Sequence, residues 1–227
     1  MVMTAGLGTR LGPITNRLAK PAVPVGDRTI VERVLQWLRH QDITDVVLNL
    51  HHLPHTITGV VGDGAELGMT VRYSWEPTLL GSAGGPRHAL PLLNSDPFLI
   101  VNGDTLTDVA LAPIVDGHRR SGADVTMVVI KNPAPDRYNG VLANSDQVVT
   151  GFIPKGHTTS SWHFVGIQVV NKSVFAVLPD NTPIETVSGV YRTLIGATPG
   201  IRIAPVDATF FDIGTPEDYE ATCRAFG

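Results

Sequence analysis

Cysteine is nearly missing from this chain: Cys223 is the only one in 227 residues. That excludes an internal disulfide and a thiolate metal cluster, and it fits a reducing compartment. No apolar run approaches the ~18 residues of a membrane span, and Met1-Val-Met-Thr4 has no basic stretch leading into an apolar one, as a secretory leader would. Cationic excess is absent as well. Lys and Arg number 17 against 21 Asp and Glu, a formal net charge of −4, and the four lysines (Lys20, Lys131, Lys155, Lys172) are scattered. A nucleic-acid backbone therefore finds no matching patch. The expectation is a cytoplasmic protein that meets neither membrane nor nucleic acid and keeps its positive charge local. Oligomeric state is not readable.

What is present is an alternation of strands and helices, without repeats or low complexity, which is the rhythm of an α/β fold. The length suits one domain, residues 1–227, with a sizeable core. Strands are predicted at Val2–Ala5, Asp45–Leu50, Met69–Ser74, Phe98–Asn102 and Asp124–Ile130, where β-branched and apolar runs suggest burial on both faces. A helix is predicted to start at Thr29, whose T-x-x-E relation to Glu32 is a capping box before the apolar positions Ile30, Val31, Val34, Leu35 and Leu38. A last helix is predicted from Thr215, with Pro216 at its first position and Glu217 and Asp218 in its first turn. Between them, strands at Gly140–Ala143, Val148–Ile153 and His163–Val170 suggest a small antiparallel insertion over about 138–170, covering one side of a site.

Chemistry concentrates where the first strand ends. Ala5-Gly-Leu-Gly-Thr-Arg-Leu-Gly-Pro-Ile-Thr15 is followed by Lys20-Pro-Ala-Val-Pro-Val-Gly26. Glycine lets backbone bend and come close to a ligand, so N–H groups near Gly6 and Gly8 are placed to cradle a polyphosphate, with Arg10 and Lys20 as countercharge. The spacing is neither G-x-x-x-x-G-K-[ST] nor G-x-G-x-x-G, which disfavours a P-loop NTPase and an ordinary dinucleotide fold. Two carboxylates sit at later strand ends: Asp104 after Phe98-Leu-Ile-Val-Asn-Gly103, and Asp212 just before the Thr215 helix. Ligands of open α/β sheets bind outside the carboxyl ends of strands, and Mg²⁺ is held by one or two carboxylates with substrate phosphates completing its shell. Asp104 and Asp212 fit that need.

The strings G-x-G-T-R-L-x-P-x-T…K-P-x-x-P-V-G, N-G-D-x-L-T-D and D-I-G-T-P-E-D-Y together resemble the signature of the sugar-1-phosphate nucleotidyltransferases. Short members of that group include N-acetylmuramate-1-phosphate uridylyltransferases and mannose- or heptose-1-phosphate guanylyltransferases. The resemblance implies a Rossmann-like mixed sheet flanked by helices, with the antiparallel insertion on the sugar side. It also implies transfer of a nucleoside monophosphate from an NTP to a sugar 1-phosphate, with release of pyrophosphate and with Mg²⁺ as cofactor. On the matching positions, Arg10 and Lys20 are the catalytic cations, and Ala5, Gly6, Gly8, Gly81 and Ser82 the nucleotide site, where the Ser82 hydroxyl or an amide could read a base edge. Gly140 and Lys155 are the sugar-phosphate site, and Asp104 and Asp212 hold the metal. Asp108 reads as a residue that fixes a turn. Two other classes remain open: a non-catalytic paralogue, disfavoured by retention of both aspartates, Arg10 and Lys20, and a metal-dependent glycosyltransferase, whose D-x-D pair Asp104-Thr-Leu-Thr-Asp108 does not supply.

Departures from the family pattern are local. Ala19 stands where proline usually precedes the loop lysine, which predicts a freer backbone at Lys20. Pro154 and Gly156 flank Lys155 where the family has an acidic residue and a proline, so a carboxylate for sugar hydroxyls is missing. The first strand begins a few residues closer to Met1 than is usual, and no hexapeptide repeat predicts a β-helix acyltransferase half. His51-His-Leu-Pro-His55 reads as a strand end and surface turn; Pro54 interrupts any i, i+4 face and no Cys or acidic residue nearby completes a zinc shell.

Overall fold

A computed structural model describes residues 1–227. Thirteen strands follow in chain order: β1 Val2–Met3, β2 Pro24–Val25, β3 Arg28–Thr29, β4 Asp45–Leu50, β5 Thr70–Trp75, β6 Phe98–Asn102, β7 Thr105–Thr107, β8 Val125–Lys131, β9 Gly140–Ala143, β10 Val149–Ile153, β11 Trp162–Val170, β12 Ile201–Pro205 and β13 Phe210–Asp212. The helices are α1 Ile30–His40, α2 Pro54–Val61, α3 Gly81–Ala89, α4 Ala112–Ser121, the short α5 Ser173–Ala176 and α6 Arg192–Leu194, and α7 Pro216–Phe226. Nine of the strands make one mixed sheet. Seven of them follow in the spatial order β12, β8, β11, β6, β1, β4, β5, and β9 with β10 attaches at β11; β6, β1, β4 and β5 are mutually parallel and β11 is antiparallel to all three of its partners.

Period-two alternation explains how the sheet buries both faces. Val46, Leu48 and Leu50 of β4, with Val128 of β8, join a core of 28 buried residues beneath α1, α2 and α4. Val47, Met127 and Val129 face the other way, into a second core of 19 buried residues with Ala83, Phe175 and Tyr191. All five apolar positions anticipated for α1 are buried, and its capping box is formed: Glu32 N–H donates to Thr29 Oγ1 at 3.3 Å and Thr29 N–H to Glu32 Oε2 at 2.7 Å. Thr215 and Asp218 make the same reciprocal pair at the start of α7.

The expected insertion is narrower than residues 138–170. Only the β9–β10 hairpin lies at the side of the sheet, joined to it by Trp162 opposite Val141 and by a bridge from Val148 to Arg202 of β12, whereas β11 runs through the middle of the main sheet. Three anticipated strands looked alike because alternation does not record which partner a strand will take. β11 bends between the two roles at a bulge where pairing with β8 slips between Phe164 and Gln168. Gly166 sits in that bulge with φ +81°, and a Cβ there would come within 2.8 Å of the Asn102 side chain. Gly166→Ala is therefore expected to cost about 1–3 kcal/mol of unfolding free energy, the price of a side chain in that backbone region, and a urea titration that shows no loss would refute it.

Candidate active site

Parallel strands β1, β4 and β6 end on the same edge of the sheet, and there the backbone opens a cleft of about 410 Å³ whose lining includes Gly6, Gly8, Arg10, Lys20, Gly81 and Asp104. Ala5, Ser82 and Gly214 line it too. The phosphate-type loop is held from three sides. Gly8 has φ +65°, and a Cβ on it would meet Lys20 Cβ at 2.9 Å and Thr15 Cγ2 at 3.0 Å, so the lysine stem packs directly on the glycine. Gly6 by contrast has open space around its Cα, leaving the cleft unobstructed. His52 Nε2 hydrogen-bonds Thr15 O at 2.8 Å, which gives the His51–His55 stretch a loop-fastening role. No three His, Cys, Asp or Glu side chains converge as a metal-binding group anywhere in the chain.

Ala19 corrects the expectation of a loose backbone before Lys20. It is fully buried, and its N–H donates to Thr56 Oγ1 at 3.0 Å, a bond that proline, having no N–H, could not make. Lys20 itself is 7 % exposed, and its Nζ lies 2.5 Å from Asp104 Oδ2. The loop cation and the strand-end carboxylate thus form an ion pair across 84 residues of sequence.

Asp212 reaches the same place along a separate route. β13 pairs with β7 antiparallel, Asp212 opposite Thr105, so the residue after Asp104 is in register with Asp212. Asp108 fixes the far end of this ribbon by accepting from Thr209 N–H at 2.9 Å. Burial pushes the Asp212 carboxyl above its ordinary pKa, and the Asp104 charge adds to the rise, while Lys20 and Arg10 pull it back. Two neighbouring carboxylates, one of them paired with a lysine, make a donor set suited to a hard divalent cation.

Beneath the loop runs a buried polar chain that the sequence did not announce. Thr4 N–H donates to Asn49 Oδ1 at 2.7 Å, Asn49 Nδ2 to Glu76 Oε1 at 2.7 Å, and Leu80 N–H to Glu76 Oε2 at 2.9 Å. Glu76 is fully buried, and Gly85 is needed beside it because a Cβ would approach Oε1 to 2.7 Å. The chain joins the end of β1 to the turn that opens α3. Ser82 lies within α3, one residue inside its start. Its hydroxyl donates to Glu185 Oε2 at 2.6 Å and accepts from Thr186 N–H at 2.8 Å, so its single proton is already committed.

The sugar-side residues are more dispersed. Gly140 is buried under Ser161 and Ile153, whose side chains would meet a Cβ at 2.5 and 2.7 Å. Lys155 is exposed on the turn after β10, its N–H donating to Asn139 Oδ1 at 3.0 Å. Neither lines the cleft. Between them and Asp212 stand Tyr138, His163 and Phe210, with ring centroids 4.2 Å apart for Tyr138–His163 and 5.2 Å for His163–Phe210. Burial lowers the His163 pKa to about 4, so the imidazole is neutral at physiological pH and stacks as an aromatic ring. Arg137 covers Tyr138 at 5.2 Å and pairs with Asp218, linking this wall to the cap of α7.

Comparison with known proteins fits this geometry. The nucleotidyl transferase family model matches residues 1–225, and the chain belongs to that family. It is 28% identical over 221 residues to a mannose-1-phosphate guanylyltransferase of Mycobacterium tuberculosis, covering 96% of this chain and 62% of that one. Over 110 residues, 48% of each chain, it is 40% identical to an N-acetylmuramate alpha-1-phosphate uridylyltransferase of Neisseria meningitidis. The fold matches HddC from Yersinia pseudotuberculosis with a TM-score of 0.85 at 21% identity, covering 100% of this chain and 98% of that one. The chain spans about 62% of the length of several of the full-length relatives it resembles.

The electrostatics yield a direct test. Asp104→Asn removes a like charge and should lower the Asp212 pKa, whereas Lys20→Ala removes an attraction and should raise it further. Carboxyl ¹³C titration by NMR reads both shifts; movement in the same direction in the two variants would break the proposed coupling.

Proposed function

We propose that this protein transfers a nucleoside monophosphate from an NTP to a sugar 1-phosphate. The observation that carries the reading is the convergence of Arg10, Lys20, Asp104 and Asp212 at the glycine loop. The relatives named above act on sugar 1-phosphates with different bases, which supports the reaction class without choosing between substrates.

In this reading an oxygen of the sugar phosphate attacks the α-phosphorus of the NTP as the bond to the β-phosphate oxygen breaks, and pyrophosphate leaves with that electron pair. The nucleophile needs no general base, since a phosphate monoester has a second pKa near ~6 and is already anionic. The barrier lies in bringing anions together. At ~4 Å and an effective dielectric of ~20, each pair of like unit charges costs about 4 kcal/mol. Alignment and countercharge supply the remedy. Backbone amides of the Gly6–Gly8 loop cradle the triphosphate, Arg10 neutralises the departing pyrophosphate, Lys20 leaves its pairing with Asp104 to meet the α-phosphate, and Lys155 holds the sugar phosphate. Asp104 and Asp212 would hold Mg²⁺, which when bound supplies charge neutralisation at the phosphate oxygens. The wall of Tyr138, His163 and Phe210 offers an apolar face to the sugar.

A pyrophosphate-release screen of NTPs against a panel of sugar 1-phosphates tests the assignment, and no release with any pair would overturn it. Asp104→Asn and Asp212→Asn are each expected to lower kcat on the order of 10²-fold or more, with the fold unchanged by circular dichroism. Lys20→Ala should depress kcat at saturating NTP, whereas Lys155→Ala should raise KM for the sugar phosphate; equal effects on NTP affinity alone would refute that division. With Pro154 in place of a carboxylate, sugar 1-phosphates differing at one hydroxyl should differ in kcat/KM by about tenfold or less. A thousandfold preference for one epimer would show that other residues supply the contact.

A further inference from the structure

We propose that Glu185 reads the base edge of the nucleotide and selects guanine. The inference rests on the nucleotidyltransferase reading of the cleft, whose lining is mixed in character. Arg10, Lys20 and Asp104 supply its charge, with Lys20 and Asp104 paired. Leu7 and Leu79, apolar side chains 44 % and 37 % exposed, line it as well, together with Gly81 and Ser82. Exposed leucines beside glycine backbone suit the flat faces of a base.

Glu185 adjoins two residues of the cleft lining, Gly81 and Ser82, and three backbone bonds hold its segment against α3. Ala83 N–H and Gly84 N–H donate to Ile184 O at 2.9 and 3.2 Å, and Ile184 N–H donates to Leu80 O at 2.9 Å. The carboxylate makes no ion pair. Its Oε2 accepts from the Ser82 hydroxyl at 2.6 Å and from Ser82 N–H at 3.4 Å, while Oε1 of this exposed side chain accepts from no protein donor and lies where a Cβ on Gly81 would approach it to 2.8 Å. Gly81 has φ +76°, so glycine is required here on backbone grounds as well as for space.

A carboxylate only accepts hydrogen bonds. Guanine presents two adjacent donors on its Watson–Crick edge, N1–H and the 2-amino group, and a carboxylate can accept both. Uracil and thymine present a single N–H between two carbonyl oxygens, which the negative charge repels. Cytosine and adenine each offer one amino donor beside a ring-nitrogen acceptor. With the Ser82 proton already given to Glu185, no hydroxyl remains to satisfy those acceptors. The Glu185 carboxylate therefore discriminates by the number of donors on the base.

A purely structural role for Glu185, capping α3 through Ser82, predicts a loss of stability on substitution but no change in base preference. The deciding measurement is calorimetric binding of GTP, ITP and UTP to the intact protein with Mg²⁺ and without sugar phosphate. ITP is GTP without the 2-amino group. Wild type should bind GTP about tenfold or more tightly than ITP or UTP, as a hydrogen bond to a charged acceptor supports. Glu185→Gln should bring GTP and ITP within about threefold while the melting temperature stays within a few degrees. Equal GTP and ITP affinity in wild type, tighter UTP binding, or an unchanged GTP/ITP ratio in Glu185→Gln would each overturn the assignment. The wild-type comparison stands alone if the variant does not fold. GTP selectivity without pyrophosphate release from any substrate pair would leave Glu185 as the base reader and remove the transferase reading; release with UTP in preference to GTP would do the reverse.

Discussion

The pairing of Lys20 with Asp104 is the interaction on which the site depends. It closes the loop that begins at Thr4 onto the end of β6, and the stem of the same lysine fills the space that Gly8 leaves by having no side chain. The lysine side chain is 9% exposed and the aspartate side chain 28%, so one member is withdrawn from water while the other remains reachable. Removing either partner would strand a partly desolvated charge, which is costlier than the pair itself is stabilising. In the proposed function, phosphate groups and a divalent cation would relieve this arrangement in a matched way, the anion taking the lysine as the cation takes the carboxylate.

The chain Thr4–Asn49–Glu76–Leu80 performs a corresponding task beneath the loop. A carboxylate buried without a cation needs its oxygens satisfied by donors, and here those donors belong to β4 and to the turn before α3. The two walls of the cleft consequently share one hydrogen-bonded floor. The anchor that Ala19 makes to Thr56 belongs to the same economy: a backbone bond replaces the rigidity that a proline ring would have given.

Both capping boxes and most of the sheet were legible in the sequence because their signals are local. Thr29 with Glu32, and Thr215 with Asp218, lie three residues apart, and the runs at Asp45–Leu50 and Phe98–Asn102 form strands with the anticipated bounds. Motif order also brought Arg10, Lys20, Asp104 and Asp212 into view together. Partners distant in sequence were not legible. Nothing in the string His163–Val170 says that it enters the main sheet, nothing near Ser82 says that Glu185, 103 residues later, takes its proton, and Tyr138, His163 and Phe210 become one wall only through folding. Gly140 matched a motif position, yet the space it provides is filled by Ser161 and Ile153.

The β7–β13 ribbon gives the protein a definite order of completion during synthesis. Lys20 and Asp104 leave the ribosome early and can pair as soon as β6 docks beside β1, but Asp212 follows more than a hundred residues later, on a strand that has no partner except β7. Until that segment emerges, β7 has no strand partner and the carboxylate pair is incomplete. A nascent chain is thus able to fold its glycine loop while lacking the second carboxylate, so the full set of charges at the cleft is assembled only after Asp212 has emerged.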